Sequence, residues 1–268
     1  MLVKLNIAAE GIDMRLLGDL LATVPEGEVI QVRIGLHWTA VVTEVEGRQA
    51  CGLSSTLESP HEHGGEPQVP QAGLLETLSG RELAELALEV DRPTLASIGV
   101  ATINSLLPPP PPESWDEGNA EHVIAAHGAG KRVVIVGSFP FVPRLKSKVG
   151  ELIVLDRHPR EGDLPAEAAP QVVPDAEVIA ITGMTLVNHT LEDLLKLCSP
   201  QALVILLGPS TPFSQVLFDY GVDMLCGSLV TDIEPVLSAV SQGANFRQVH
   251  HAGVRLVTVV RSGFGSRS

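Results

Sequence analysis

Short apolar runs alternate with helical patterns through the second half of the chain, and this alternation constrains the fold more than any other feature. The strand candidates are residues 132–137, 152–156, 178–182, 203–208 and 255–260, with a short one at 224–225. Uninterrupted apolar runs are typical of strands that are buried on both faces. Helical patterns lie near residues 143–148, 191–198, 212–220 and 233–242. This alternation predicts an α/β fold, a Rossmann-like parallel sheet with helices on both faces.

Five consecutive prolines at residues 108–112 separate this region from a smaller first part. Such a run forms a stiff polyproline II segment and cannot enter a helix or a central strand. The first part has helical patterns at residues 14–24, 79–90 and 94–107, and strand patterns at 29–35, 39–45 and up to 53. We therefore expect an α+β domain at residues 1–107, a proline-rich linker at 108–118 and the α/β domain at 119–268.

Three helix starts carry capping signals. Ser79 and Glu82 have the spacing of a capping box. Thr190 is a predicted N-cap, and so is Thr211, which precedes Pro212 at the first helical position.

The chain is acidic, with 18 Lys and Arg against 32 Asp and Glu, and it has a formal net charge of −14. That charge repels a phosphate backbone, and only 3% of the residues are aromatic, so nucleic acid is not an expected partner. No apolar run approaches the roughly 18 residues of a membrane helix, and the first residues do not resemble a signal peptide. Three widely spaced cysteines fit a reducing compartment, so we expect a cytoplasmic protein. Self-association into a homo-oligomer stays open.

The loop after the first strand of the α/β region occupies the phosphate-loop position of a Rossmann unit. It contains the candidate ligand residues Gly137, Ser138 and Pro140, but it lacks the G-x-G-x-x-G pattern, which disfavours ordinary NAD binding. Asp156 ends the next strand, where an acidic residue binds ribose hydroxyls in nucleotide sites. An ion pair with a neighbouring arginine is an equally good interpretation of Asp156.

Two further loops place small polar residues between the carboxyl end of a strand and the start of a helix. Their candidate ligand residues are Thr182, Gly183, Thr185, Asn188 and Thr190 in one loop, and Gly208, Ser210 and Thr211 in the other. In open parallel sheets, ligands bind at these strand ends. The loops therefore predict one wall of a crevice, although a purely structural role of the Asn188 region is a serious rival.

Asn104 and His37 in the first part are candidates for the opposite wall. His37 and His189 are the candidate ligands of a transition-metal ion. Residues 61–63 place two histidines around a glutamate, but the segment favours a solvated loop over a defined site. No compact group of cysteines and histidines is visible in the sequence.

These stretches together resemble a known family. The second part is similar to the DUF364 family, and the first part is similar to its companion domain DUF4213. The matching stretches include Gly-Ser-Phe-Pro-Phe at residues 137–141, Thr-Gly-Met-Thr-Leu-Val-Asn-His-Thr at 182–190, Gly-Pro-Ser-Thr-Pro at 208–212 and Gly-Leu-His-Trp-Thr at 35–39. The resemblance implies an N-terminal domain like that of enolases, a C-terminal Rossmann-like domain and a site between them. A role in binding or chelating heavy metals is inferred for the family.

Three hypotheses follow from the residues and the resemblance together. The first is a protein that binds a small molecule or a transition-metal ion in a cleft between its domains. The second is an enzyme that uses a nucleotide-like cofactor such as S-adenosylmethionine, with Asp156 on the ribose. The third is an oligomeric scaffold whose loops are structural.

Overall fold

The computed structural model of the protein describes residues 12–58 and 66–263. Its strands form a three-stranded and an eight-stranded sheet. The strands are β1 (Glu28–Ile34), β2 (Trp38–Val45), β3 (Arg48–Ser55), β4 (Trp115–Glu117), β5 (Arg132–Val136), β6 (Glu151–Asp156), β7 (Leu164–Pro165), β8 (Val178–Thr182), β9 (Leu203–Leu207), β10 (Met224–Val230) and β11 (Val254–Val260). The helices are α1 (Arg15–Thr23), α2 (Gly80–Glu85), α3 (Pro93–Leu106), α4 (Ala120–Gly128), α5 (Val142–Leu145), α6 (Ala169–Val172), α7 (Met184–Val187), α8 (Leu191–Leu197), α9 (Gln215–Asp219), α10 (Ile233–Ser241) and α11 (Phe246–Gly253).

The large sheet has the strand order β4-β11-β10-β9-β8-β5-β6-β7. The strands from β7 to β10 pair in parallel, whereas β11 pairs antiparallel with β10 and with β4. The chain winds outwards from β5 to β7 on one side and from β8 to β10 on the other. The switch point of this doubly wound sheet therefore lies between β5 and β8. The predicted α/β class with a smaller α+β region is confirmed.

The small antiparallel sheet buries both of its faces. On one face, Val41 packs with Ile98 and Ala101 of α3. On the other face, Val42 packs with Val240 of α10, which belongs to the second part of the chain. The small sheet is thus enclosed between a helix of its own part and a helix of the other part.

The helices of the two parts also meet over one face of the large sheet. Helix α3 lies beside α7, and α1 lies beside α9. Leu20 of α1 and Ile103 of α3 belong to the same buried cluster as Val134, Ile181 and Leu206 of the large sheet. The opposite face of this sheet is covered by α4 and α5. The two parts therefore share one continuous core.

The segment expected to be a linker contains a strand. Residues 108–118 include β4, whose Trp115 pairs with Val259 of β11. Strand β7 and helices α4, α6, α7 and α11 were also not predicted, and β10 has seven residues where two were expected. Strand β7 and helices α6 and α7 have only two to four residues each, too few for a periodic pattern. Helix α11, in contrast, begins with a complete capping box at Asn245 and Gln248, a local signal that was missed.

Of the three predicted caps, only that at Ser79 is confirmed in full. Ser79 and Glu82 form the complete capping box of α2. Thr190 occupies the N-cap position of α8 as predicted, but its hydroxyl donates to Asn188 Oδ1 at 2.6 Å and caps no backbone group. The prediction for Thr211 is wrong. Residues 208–211 form a turn, and α9 begins after Ser214, whose hydroxyl accepts the Val216 N–H at 3.3 Å.

Among the residues that the structure describes, no helix has the length and apolar character required to cross a membrane.

Two helical glycines should respond in opposite ways to replacement by alanine. A Cβ on Gly99 of α3 would lie 1.9 Å from the Ala87 nitrogen, whereas a Cβ on Gly18 of α1 would meet nothing within 4 Å. We expect Gly99→Ala to lower the free energy of unfolding by about 1–3 kcal/mol or more, because α3 must move away from its neighbour. Gly18→Ala should raise it by about 1 kcal/mol. Urea unfolding followed by circular dichroism measures both, and equal effects would contradict this packing.

Candidate functional site

A cavity of about 410 Å³ opens at the switch point of the large sheet. Its floor is formed by the carboxyl ends of β5, β8 and β9 and by the middle of β10, and Trp38 and Ser55 of the first part form the facing wall. We call it the switch-point cavity. The candidate ligand residues that line it are Ser138, Pro140, Thr182, Gly183, Gly208 and Ser210.

Glycines allow the three loops to crowd together at this edge. Gly137 and Gly208 have φ angles of +103° and +106°, which favour glycine, and each turns the chain sharply at the end of a strand. A Cβ on Gly183 would lie 2.7 Å from Thr211 Oγ1, so the loop after β8 touches the loop after β9. The small residues at the strand ends therefore allow close packing of the loops, and they also line a cavity.

Several hydroxyl groups of the cavity wall are already engaged with the backbone. Thr182 Oγ1 accepts the Met184 N–H at 3.3 Å. Ser210 is buried, and its Oγ accepts the Ser55 N–H at 2.9 Å. Ser210 thereby connects the loop after β9 to strand β3 of the first part. Ser138 is exposed at the cavity mouth.

Two aromatic pairs face the cavity. The rings of Phe139 and Phe141 are stacked, with centroids 5.1 Å apart and planes 12° apart. Trp38 and Phe246 lie with centroids 5.3 Å apart and planes 54° apart. Trp38 Nε1 is buried and has no hydrogen-bond partner among the described residues. The cavity thus has flat apolar walls and one buried donor.

One cation lies at the cavity, and it is partly neutralised. Arg144 Nε donates to Glu121 Oε1 at 3.1 Å, and Lys148 Nζ donates to the same oxygen at 3.0 Å. The pKa of the buried Glu121 carboxyl is lowered to about 2. The hydrogen bonds from Arg144 contribute most to this shift, and the hydrogen bond from Lys148 adds to it. Two cations share one anion, so the group carries one surplus positive charge beside the cavity.

The described residues do not fit a heavy-metal site. Within residues 12–58 and 66–263, no group of three or more His, Cys, Asp or Glu side chains is placed to hold a metal ion. Cys226 lines the cavity, and burial raises the pKa of its thiol to about 11, but no second Cys and no His, Asp or Glu lines the cavity beside it. The histidines at residues 61 and 63 and the glutamate between them lie outside the described residues.

Several candidate residues lie away from the switch-point cavity. His189 Nε2 donates to the Ala87 carbonyl at 2.8 Å and cannot bind a metal through that nitrogen. Asp156 accepts the His158 N–H at 2.8 Å. His37 is exposed, and it is the neighbouring Trp38 that enters the cavity. The remaining candidates outside the cavity lining are Gly137, Thr185, Asn188 and Thr190.

Asn104 and Thr211 line a different cavity, on the other side of the loop after β9. The Asn104 amide donates to the Leu53 carbonyl at 2.8 Å and to the Pro209 carbonyl at 3.2 Å. Asn104 therefore joins α3, β3 and this loop. Asn104 thus lies at the interface of the two parts, but it does not form the expected opposite wall of the switch-point cavity, and its amide N–H groups bond to backbone carbonyls.

The sequence reasoning missed much of the aromatic wall. Phe139 and Phe141 lie in the loop after β5, where the ligand residues proposed from the sequence are only Gly137, Ser138 and Pro140. Phe246 lies on α11, where no helix was expected, and Arg144 lies on the short α5. A Phe-Pro-Phe stretch directly after a buried strand is the one local signal that could have indicated an apolar wall.

Comparisons with known proteins agree with this architecture. The DUF364 family model, described as "Putative heavy-metal chelation", matches residues 120–259, and the DUF4213 model, with the same description, matches residues 18–107. An uncharacterized protein of Methanocaldococcus jannaschii is 26% identical over 235 residues, which are 85% of this chain and 88% of that protein.

Two crystal structures of DUF364-family proteins of unknown function are also similar to this chain. The structure from Desulfitobacterium hafniense has a TM-score of 0.76 at 24% identity, and that from Pyrococcus horikoshii has a TM-score of 0.75 at 20% identity. Each match covers 92% of this chain and 98% of the other. At these identities the similarity shows the fold alone.

His189 should make the stability depend on pH. Burial lowers the pKa of this histidine, against the smaller opposing effect of its bond to Ala87. His189 therefore binds a proton more tightly in the unfolded chain than in the folded one. The free energy of unfolding has its full value above the unfolded pKa of about 6.5, and it falls as the pH drops below that pKa. His189→Asn keeps a residue that tolerates the φ of 60° at this position. We expect this variant to lose about 1–3 kcal/mol at pH 8.

The same variant should also show a weaker fall in stability between pH 7 and pH 5 than the wild type does. Urea unfolding at several pH values measures both effects. Parallel pH profiles of the two proteins would contradict a buried neutral His189.

Proposed function

This chain belongs to the DUF364 family, and from the cavity that its two parts enclose we propose that it binds a small organic molecule. The observation that carries the proposal is the switch-point cavity itself, with its volume of about 410 Å³ at the carboxyl ends of parallel strands. Small-molecule sites typically have volumes of roughly 300–1,000 Å³ and occur at such switch points.

The cavity walls favour a flat, largely apolar ligand with an acceptor group. The stacked Phe139–Phe141 pair and the Trp38–Phe246 pair line the cavity with aromatic rings. The Trp38 Nε1–H needs an acceptor when it is buried. The surplus positive charge of the Arg144 group favours an anionic substituent. We therefore propose an aromatic or conjugated molecule that carries a carboxylate or a similar anionic group.

Binding is better supported than acid–base catalysis. The residues that line the cavity include no His, Asp, Glu or Lys, so a hydroxyl such as that of Ser138 or Thr182 has no base beside it there. Asp156, which a nucleotide-like cofactor would need at its ribose, is also absent from this lining. The proposal includes no metal ion held by protein ligands, because the described residues provide no ligand set.

A flat aromatic anion should bind in this cavity. We choose 1-anilinonaphthalene-8-sulfonate as the probe and isothermal titration calorimetry as the measurement. Ser138→Trp places a large side chain at the cavity mouth and should weaken binding at least tenfold. Glu161→Trp adds the same side chain at an exposed position outside the cavity and should leave the affinity unchanged.

Trp38→Phe keeps the aromatic wall but removes the buried donor, so it should weaken binding by roughly two- to tenfold. If Ser138→Trp and Glu161→Trp bind the probe equally well, the probe occupies another surface and the proposal is wrong.

A further inference from the structure

A second cavity, of about 520 Å³, lies behind the loop after β9. Strand β3 and the end of α3 form one side, and β10 and β11 form another. The five prolines at residues 108–112, together with Trp115, form an apolar wall. We call it the proline-side cavity. It shares no lining residue with the switch-point cavity.

The charges that line the proline-side cavity are all positive. Arg48 lies at the start of β3, and Arg255 lies on β11. No Asp or Glu is among the residues that line this cavity, although the chain has a net charge of −14. Within the described part of the chain, neither arginine forms an ion pair, and Arg48 makes only a long hydrogen bond of 3.5 Å to the Leu106 carbonyl. Two guanidinium groups at one cavity in an acidic protein favour an anionic ligand.

Two buried polar atoms of the same cavity residues have no hydrogen-bond partner among the described residues. Thr211 is only 2% exposed, and its Oγ1 is unpartnered. Asn104 Oδ1 is unpartnered as well. Because the Asn104 NH₂ group donates to the Leu53 and Pro209 carbonyls, its Oδ1 is fixed as an acceptor. Buried polar groups are normally hydrogen-bonded, so Asn104 Oδ1 calls for a donor, and the Thr211 hydroxyl, which can donate or accept, also calls for a partner.

From these two sets of groups we propose that the proline-side cavity is a second ligand site, which binds a small hydroxy-polycarboxylate. The carboxylates contact Arg48 and Arg255, since a guanidinium binds a carboxylate through two parallel hydrogen bonds. The ligand hydroxyl donates to Asn104 Oδ1 and accepts from the Thr211 hydroxyl. The proline wall, Trp115 and Phe213 contact the carbon chain of the ligand.

Citrate and tricarballylate test this site as a matched pair, because tricarballylate is citrate without its hydroxyl. Both are titrated into the full chain by isothermal titration calorimetry in metal-free buffer. We expect citrate to bind, and tricarballylate to bind roughly five- to tenfold more weakly. Absence of citrate binding at millimolar concentration would overturn the proposal.

Arg255→Gln removes one guanidinium from the cavity and should weaken citrate binding tenfold or more. Arg247→Gln makes the same charge change at an exposed arginine of α11 that does not line the cavity, and it should have no such effect. Both positions are exposed, so neither substitution disturbs the core. Equal weakening by the two variants would show a general charge effect and would overturn the site.

Thr211→Val removes the unpartnered hydroxyl with little change of shape. In this variant the preference for citrate over tricarballylate should shrink, and an unchanged preference would exclude the proposed hydroxyl contact. If Thr211→Val does not fold, the comparison of Arg255→Gln with Arg247→Gln still decides whether the site exists.

Discussion

The small antiparallel sheet has two apolar faces, and only one of the helices that cover them belongs to its own part of the chain. Ile98 of α3 covers one face, and Val240 of α10 covers the other. Hydrophobic burial is the dominant favourable contribution to folding, so removal of either helix would expose a full face to water. The first part therefore depends on the second for its own sheet, and this arrangement fixes the walls of both cavities relative to each other.

The polar residues at the interface extend this constraint to the loops. Ser210 accepts a hydrogen bond from the β3 backbone, and Asn104 donates to carbonyls of β3 and of the loop after β9. Ser210 was a candidate for ligand binding because small polar residues at strand ends are typical of ligand sites, and Asn104 was a candidate for the opposite wall of the crevice. The same residue types also satisfy buried backbone groups where two parts meet. The presence of such residues in the sequence therefore indicates the interface correctly. It does not show whether they contact a ligand or only support the structure.

The sequence predicts the elements whose patterns are local. The apolar runs of β5, β8 and β9 and the capping box at Ser79 depend on neighbouring residues, and the structure contains all of them. Strand β4 has only three residues and is defined by its pairing with β11, so its sequence carries no alternation to detect. The residues of the switch-point cavity were likewise predicted only where a local pattern identifies them. Strand-end residues such as Thr182 were found, whereas Trp38 and Phe246 come from distant segments that only the tertiary fold brings to the cavity.

The loop after β9 separates the two cavities by a single thickness of chain. Ser210 faces the switch-point cavity, and its neighbour Thr211 faces the proline-side cavity. Gly183 packs against the same loop and leaves it little free space on that side. Ligands of the kinds proposed for the two cavities would be linked through this wall, because a shift of the loop that favours a molecule on one side would change the space on the other. Such heterotropic coupling would be reciprocal, so each molecule would alter the affinity for the other by the same factor.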